Sequence, residues 1–278
     1  MIKIVTDSSS DISAQLATQL GVTVLPVRIR LGDQIYRDGV DIDRSRLYRH
    51  LAQNPGRPFL EPPLPEDFQK AYSQLLTGTD QVLSLHLSSR ISNTIQVAQE
   101  AARAFLGRSK ITVVDSHTIS WGLELLVSFA AQAAQRGATV EDIVRLVRGT
   151  IPHLYMVFYV DSPDYTEYCA RLSRIRAQAE SLSGLKPLLI MEEGEILPME
   201  RVRVRGKPTE RLLEFVSEFA HFDRATILQG RLSDGAQALF EQLIQAFPRK
   251  RFDIKPYGLA LASCLGPDAL GIGVYEGL

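Results

Sequence analysis

Charge of one sign, cysteine and long apolar runs are all scarce in this sequence, and each shortage removes a class of protein. The 31 basic and 32 acidic residues leave a formal net charge of -1, so no overall field draws the chain to nucleic acid or to an anionic membrane. Cysteine occurs only at Cys169 and Cys264. The two are far apart, lack metal-ligand spacing and read as isolated thiols of a reducing, cytoplasmic compartment. No apolar stretch approaches the ~18 residues of a membrane-spanning helix. The first five residues read as a strand rather than the basic head of a signal peptide. There is no Gly-x-Gly-x-x-Gly after a strand, no Walker-type Gly-Lys-Ser/Thr and no Gly-x-Ser-x-Gly elbow. No cofactor and no metal centre is expected.

What is present is the balance of an ordinary globular protein. The 278 residues are 45% hydrophobic and 23% charged, enough to bury a sizeable core in one large domain or two of ordinary size. The first half alternates strands with helices. Residues 2–5, 22–31, 82–87 and 111–114 read as strands, and residues 13–20, 43–53, 65–76, 94–106, 120–136 and 141–147 as helices, several bounded by Ser, Thr or Asp before and Gly after. The proline-rich residues 55–65 read as an extended loop. Such alternation predicts a parallel sheet covered by helices on both faces.

The second half has another rhythm. Residues 155–160 read as a strand and 164–180 as helical. Residues 185–191 and 196–205 form a hairpin around Glu192-Glu193-Gly194-Glu195. Helices at 209–220 and 234–247 alternate with strands at 225–229 and 254–262, and a strand at 271–275 closes the chain. The expected architecture is an N-terminal three-layer α/β/α domain with a parallel sheet, residues 1–150, and a C-terminal α+β domain with a mixed sheet, residues 151–278.

Three loops at the carboxyl ends of first-half strands, residues 6–11, 88–94 and 115–118, are rich in hydroxyls, and each feeds a helix start. Ligands of open α/β sheets bind at that edge, where helix N-termini offer unpaired N–H groups and partial positive charge. The set predicts a site for a carboxylate, a phosphate or an acyl phosphate. Ser, Thr and Asp at these places also serve as ordinary helix caps. A hydrolase or transferase assembled from a loop serine, His86 or His117, and Asp7 or Asp115 is the alternative, since a triad is recognised by geometry rather than by order in the chain.

A family resemblance accompanies these features. Thr6-Asp7-Ser8-Ser9-Ser10-Asp11-Ile12 resembles the opening of DegV-family proteins. The segment Leu83-Ser84-Leu85-His86-Leu87-Ser88-Ser89-Arg90-Ile91-Ser92-Asn93-Thr94 is similar to the family's Ile-Ser-Ser-x-Leu-Ser-Gly-Thr run. Val113-Val114-Asp115-Ser116, Leu185-Lys186-Pro187-Leu188-Leu189, Arg203-Val204-Arg205-Gly206 and Gly266-Pro267-Asp268-Ala269-Leu270-Gly271 follow in the family's order over nearly the whole chain. The resemblance implies a carrier and not an enzyme. A long fatty acid or related acyl lipid lies in a tunnel of the second domain, with its carboxylate at the domain junction. A fatty acid kinase phosphorylates the presented carboxylate for phospholipid synthesis.

The implied head-group residues are Ser92, Asn93 and Thr94, supported by Ser8 and Arg171, with Asn93 replacing the family's usual Gly. Leu60 and Glu61 stand where the family has carboxylate-binding Thr and Ser, and Cys264 stands where it has a C-terminal His. A Glu beside a bound carboxylate would repel it, unless Glu61 faces solvent, pairs with Arg57 or Arg171, or sits protonated on burial. Another acyl lipid, or a divergent member without a carboxylate ligand, stays open. Arg203 and Arg205, with Arg201 and Lys207, alternate on one face of a strand and read either as a docking surface for the kinase or as a solvated face.

Overall fold

The computed structural model describes residues 2–53, 58–107, 109–160, 188–199 and 207–278. A four-stranded sheet has the order β2-β1-β6-β7 and is parallel throughout. Its strands are β1 (Lys3–Asp7), β2 (Val22–Leu25), β6 (Gln81–His86) and β7 (Lys110–Asp115). Side chains alternate faces along a strand. Val5 and Val82 therefore pack on one side, against α3 (Pro65–Leu75) and α4 (Thr94–Arg103). Ile4, Leu83 and Leu85 pack on the other, against α1 (Ala14–Leu20) and α5 (Trp121–Gln135). This is the three-layer arrangement expected of the first half.

The second sheet has six strands and is mixed, in the order β10-β9-β8-β13-β11-β12. It comprises β8 (Leu154–Tyr159), β9 (Leu188–Glu192), β10 (Glu195–Pro198), β11 (Arg224–Gln229), β12 (Phe252–Pro256) and β13 (Leu270–Tyr275). Val157, Tyr159, Leu270, Ile272 and Val274 face α7 (Pro208–Ser217) and α8 (Asp234–Ala246). The opposite face, with Met156 and Phe158, joins the core that holds α5 and the first sheet. Gly273 permits this contact, because a Cβ there would enter the Trp121 ring. The predicted hairpin is present between β9 and β10. Its two-residue turn places both Glu193 (φ 47) and Gly194 (φ 84) in the left-handed region, the geometry that two-residue hairpins select.

Three local expectations are corrected. The single strand predicted at residues 22–31 is two strands in different sheets. Pro26 lies between β2 and β3 (Arg28–Leu31), and a residue without N–H cannot continue a ladder. β3 is the centre of a small antiparallel sheet, β4-β3-β5. β4 (Gln34–Arg37), which sequence reading missed, is one edge. The other is β5 (Pro58–Glu61), inside the segment read as a loop; an edge is the place where proline-flanked strands are tolerated. The strand predicted at 254–262 is β12 followed by a helix, α9 (Leu259–Leu265), whose seven residues are all buried. Periodicity cannot separate a fully buried helix from a buried strand. The predicted helix at 164–180 lies outside the described residues. The remaining α-helices among the described residues are α2 (Arg44–Gln53) and α6 (Val140–Thr150). No helix is long and apolar enough among the described residues to cross a membrane.

Candidate functional site

The three hydroxyl-rich loops are bonded to one another. Ser88 N–H donates to Thr118 O at 2.9 Å, and Ser120 N–H donates to Ser9 O at 2.7 Å. The Ser120 hydroxyl donates to Asp11. Asp11 (φ 56), His117 (φ 50) and Ser120 (φ 57) all hold left-handed backbones without being glycine, a conformation that persists only where the surroundings impose it. The loop after β6 also reaches the second sheet. The Ser88 hydroxyl donates to Gly194 O at 2.7 Å, and Arg90 lies 3.4 Å from Glu195. A Cβ at Gly194 would overlap the Ser88 hydroxyl, so the hairpin turn and the hydroxyl loop are in direct contact.

Ser92 and Thr94 are brought together, with their hydroxyl oxygens 3.0 Å apart and both residues buried. Asn93 between them is exposed and caps α4 without a side-chain bond. Leu60 is half-buried on β5, paired with Ile29 of β3. Glu61 pairs with two arginines not considered from sequence. It lies 3.3 Å from Arg28 and 2.9 Å from Arg30, so its charge is compensated. Cys264 is 1% exposed on α9, which packs against β5 and the Ser8–Ser10 turn. The reading of Cys264 as an isolated thiol is corrected: it is not free. Arg171, Arg201, Arg203 and Arg205 also lie outside them.

Ser8 belongs to a different recess. Its hydroxyl donates to Asp38 Oδ2 at 2.8 Å and accepts from Val27 N–H at 3.0 Å. Ser8, Asp11 and Asp38 line a cleft of about 590 Å³ whose far wall carries Lys255 of β12. Glu124 of α5 bridges the two halves there, with its carboxylate oxygens 2.7 and 2.9 Å from Lys255 Nζ. Burial pushes the Asp11 carboxyl up to about 7, against the opposing bonds from Ser120 and the Gly258 N–H. Burial likewise raises Asp38 to about 6, with the Ser8 bond opposing. Sequence reading missed Asp38, Glu124 and Lys255. No spacing joins them, because three separate elements supply them.

The triad sought for a hydrolase has a counterpart in the core. Asp7 Oδ2 lies 2.8 Å from His86 Nδ1. His86 Nε2 lies 2.6 Å from Ser84 Oγ, and Ser84 Oγ lies 2.8 Å from Tyr72 OH. Asp7, Ser84, His86 and Tyr72 are all 0% exposed. The serine is therefore a strand residue closed off from any substrate, not the loop serine that the expectation required. Among the described residues, no group of three His, Cys, Asp or Glu is placed to hold a metal ion.

Fold and junction together define a class: two-domain α/β proteins in which a parallel sheet presents hydroxyl loops to a second, mixed sheet. The chain belongs to the DegV family; the family model described as "Uncharacterised protein, DegV family" matches residues 1–277. A DegV domain-containing protein of Caldanaerobacter subterraneus is 32% identical over 276 residues, covering 98% of this chain and 97% of that one. Among solved structures, a fatty-acid-binding DegV family protein from Thermus thermophilus is 29% identical, with a TM-score of 0.89 over 99% of both chains. DegV of Bacillus subtilis, described as a fatty acid binding protein, is 26% identical, with a TM-score of 0.87 over 99% of both chains.

Proposed function

We propose that this protein is a non-catalytic cytoplasmic carrier that binds one long-chain fatty acid and presents its carboxylate to a fatty acid kinase for phospholipid synthesis. The observation that carries the reading is the likeness, over 99% of each chain, to the fatty-acid-binding DegV proteins of Thermus thermophilus and Bacillus subtilis. The paired Ser92 and Thr94 hydroxyls supply the head-group contacts, with Leu60, Asn93, Arg171 and Cys264 as the further residues assigned to the head group. Ser8, bonded to Asp38, lines the neighbouring cleft instead. Arg203 and Arg205 supply the kinase contact. The compensation of Glu61 by Arg28 and Arg30 supports an anionic head group, because it removes the like-charge repulsion that a free Glu61 would exert. Apolar burial of the chain contributes about 0.8 kcal/mol per CH₂, so most of the affinity resides in the tail. The boundary between the carrier's two domains is placed near residue 150.

Mass spectrometry of lipids extracted from the purified full-length protein tests this reading. A stoichiometric fatty acid is expected. Ser92→Ala and Thr94→Ala each weaken its retention about 2- to 10-fold, the worth of one hydrogen bond. Protein that carries no acyl chain and takes none up from solution overturns the proposal. Phosphorylation of the bound acid by a fatty acid kinase, lost in Arg203→Glu with Arg205→Glu, tests the partner separately.

A further inference from the structure

A second cleft, of about 720 Å³, lies between α2 of the first half and the start of α8 and β12 of the second. Its volume falls in the ~300–1,000 Å³ range of small-molecule sites. Arg44 and Tyr48 project into it from α2, four residues apart and hence on one helical face. Arg44 is half-buried and makes no ion pair or hydrogen bond among the described residues. The Tyr48 hydroxyl is buried and has no partner among the described residues, although buried polar atoms are satisfied in the great majority of cases. Burial raises the Tyr48 hydroxyl to about 12, so it stays a donor at physiological pH. Beside the cleft, Arg231 lies 5.6 Å from the Tyr48 ring centre and is itself paired with Asp268 at 3.5 Å, so Arg44 is the cation the cleft leaves unpaired among the described residues. The facing wall carries Ser233, Asp234 and Gln237, over a floor that includes Ile254 and Pro256.

Two unpaired donors on one helical face, one of them cationic, call for an anionic acceptor. A guanidinium beside a hydroxyl suits phosphate oxygens. The cleft exceeds the size of a bare anion, and the Asp234 and Gln237 oxygens opposite are acceptors suited to hydroxyl groups. We propose that this cleft binds the phosphate monoester of a small polyol, with the phosphate on Arg44 and Tyr48 and the hydroxyls on the α8 wall. The site does not depend on acyl binding and uses none of the residues assigned to the head group.

Calorimetric titration of the full-length protein with D-glucose 6-phosphate, and with D-glucose as the control, tests the assignment. A second arm uses phosphatidylcholine vesicles containing phosphatidic acid, because a lipid can supply the same phosphate. Glucose 6-phosphate is expected to bind and glucose is not. Tyr48→Phe and Arg44→Gln should each weaken binding about tenfold, as expected for a charge-assisted hydrogen bond. Tyr48→Phe without ligand should melt at or above the parent temperature, since the hydroxyl it removes has no partner among the described residues. Vesicle binding that both variants abolish, without sugar phosphate binding, supports the same phosphate site and assigns its source to a lipid. The proposal is overturned if neither phosphate source binds up to about 10 mM, the range of ~3 kcal/mol affinities. Binding that persists in both variants, glucose binding as tightly as its phosphate, or a lowered melting temperature for Tyr48→Phe also overturns it.

Discussion

Asp7 and Asp38 lie on either side of the same serine turn, yet their surroundings differ. Asp7 accepts from Ser9 N–H, the Ser9 hydroxyl and Leu87 N–H, and meets His86 as well. Its network ends at Tyr72 with every member closed off from solvent. Among the described residues Asp38 has a single side-chain hydrogen-bond partner, Ser8, and it opens onto the cleft with Asp11 and Arg44. Adjacent positions of one turn, Asp7 and Ser8, thus feed two kinds of polar cluster. One is complete and holds the sheet edge together. The other carries carboxyls whose ionisation burial opposes. A closed network specifies structure, whereas a rim left short of partners is where a ligand, a proton or a second domain can act.

The contrast can be broken most severely at the closed network. Asp7→Ala strands the buried partners of that carboxylate and is expected to cost about 3–5 kcal/mol, read as a lowered urea midpoint; a loss near zero would mean that the network contributes no stability. Gly273→Ala drives a methyl into the Trp121 ring where the two sheets share α5, for about 1–3 kcal/mol of overpacking, measured in the same way.

The open cluster should respond to pH instead. Asp11 and Asp38 have folded pKa values above their unfolded value of 3.8. The folded chain therefore binds more protons than the unfolded one across the window up to about 7. Stability contributed by these groups is present below that window and declines as pH rises through about 6 and 7, then levels off. Asp11→Asn is expected to flatten the decline, by about 1–2 kcal/mol between pH 5 and 8, in melts recorded at half-unit steps. A decline left unchanged would assign the pH dependence elsewhere. The smallest effect belongs to Glu61→Gln, which leaves partly exposed arginines unpaired. It should cost less than about 1 kcal/mol and fade in high salt, as comparative melts at low and high ionic strength would show.

Much of this fold was legible in the sequence because its first sheet is built from local signals. Ser13 accepts from Leu16 N–H and Gly21 ends α1 in a left-handed conformation. The Glu193-Gly194 turn forms the hairpin that its residues predict. The errors fell where a local signal had two solutions. Residues 22–31 are rich in β-branched side chains on both sides of Pro26, but no local rule says that the two pieces enter different sheets. The run Leu259–Leu265 is apolar on every side, so its period carries no information. The hydroxyl loops were recognisable as a set, whereas the contact between Ser92 and Thr94 is a finding of the structure. Which carboxylate each serine would meet did not follow.

Composition, capping residues and alternating hydrophobicity determined the order of strands and helices and the edge of the first sheet at which hydroxyls gather, because those signals act over a few residues. Tertiary structure alone decided that Glu61 is held by Arg28 and Arg30, that Glu124 meets Lys255 across the two halves, and that Arg44 and Tyr48 face a cleft without partners among the described residues. Each of these depends on a distance between elements far apart in the chain. Burial, which sets the charge state of Asp11 and Asp38, exists only once those elements have packed.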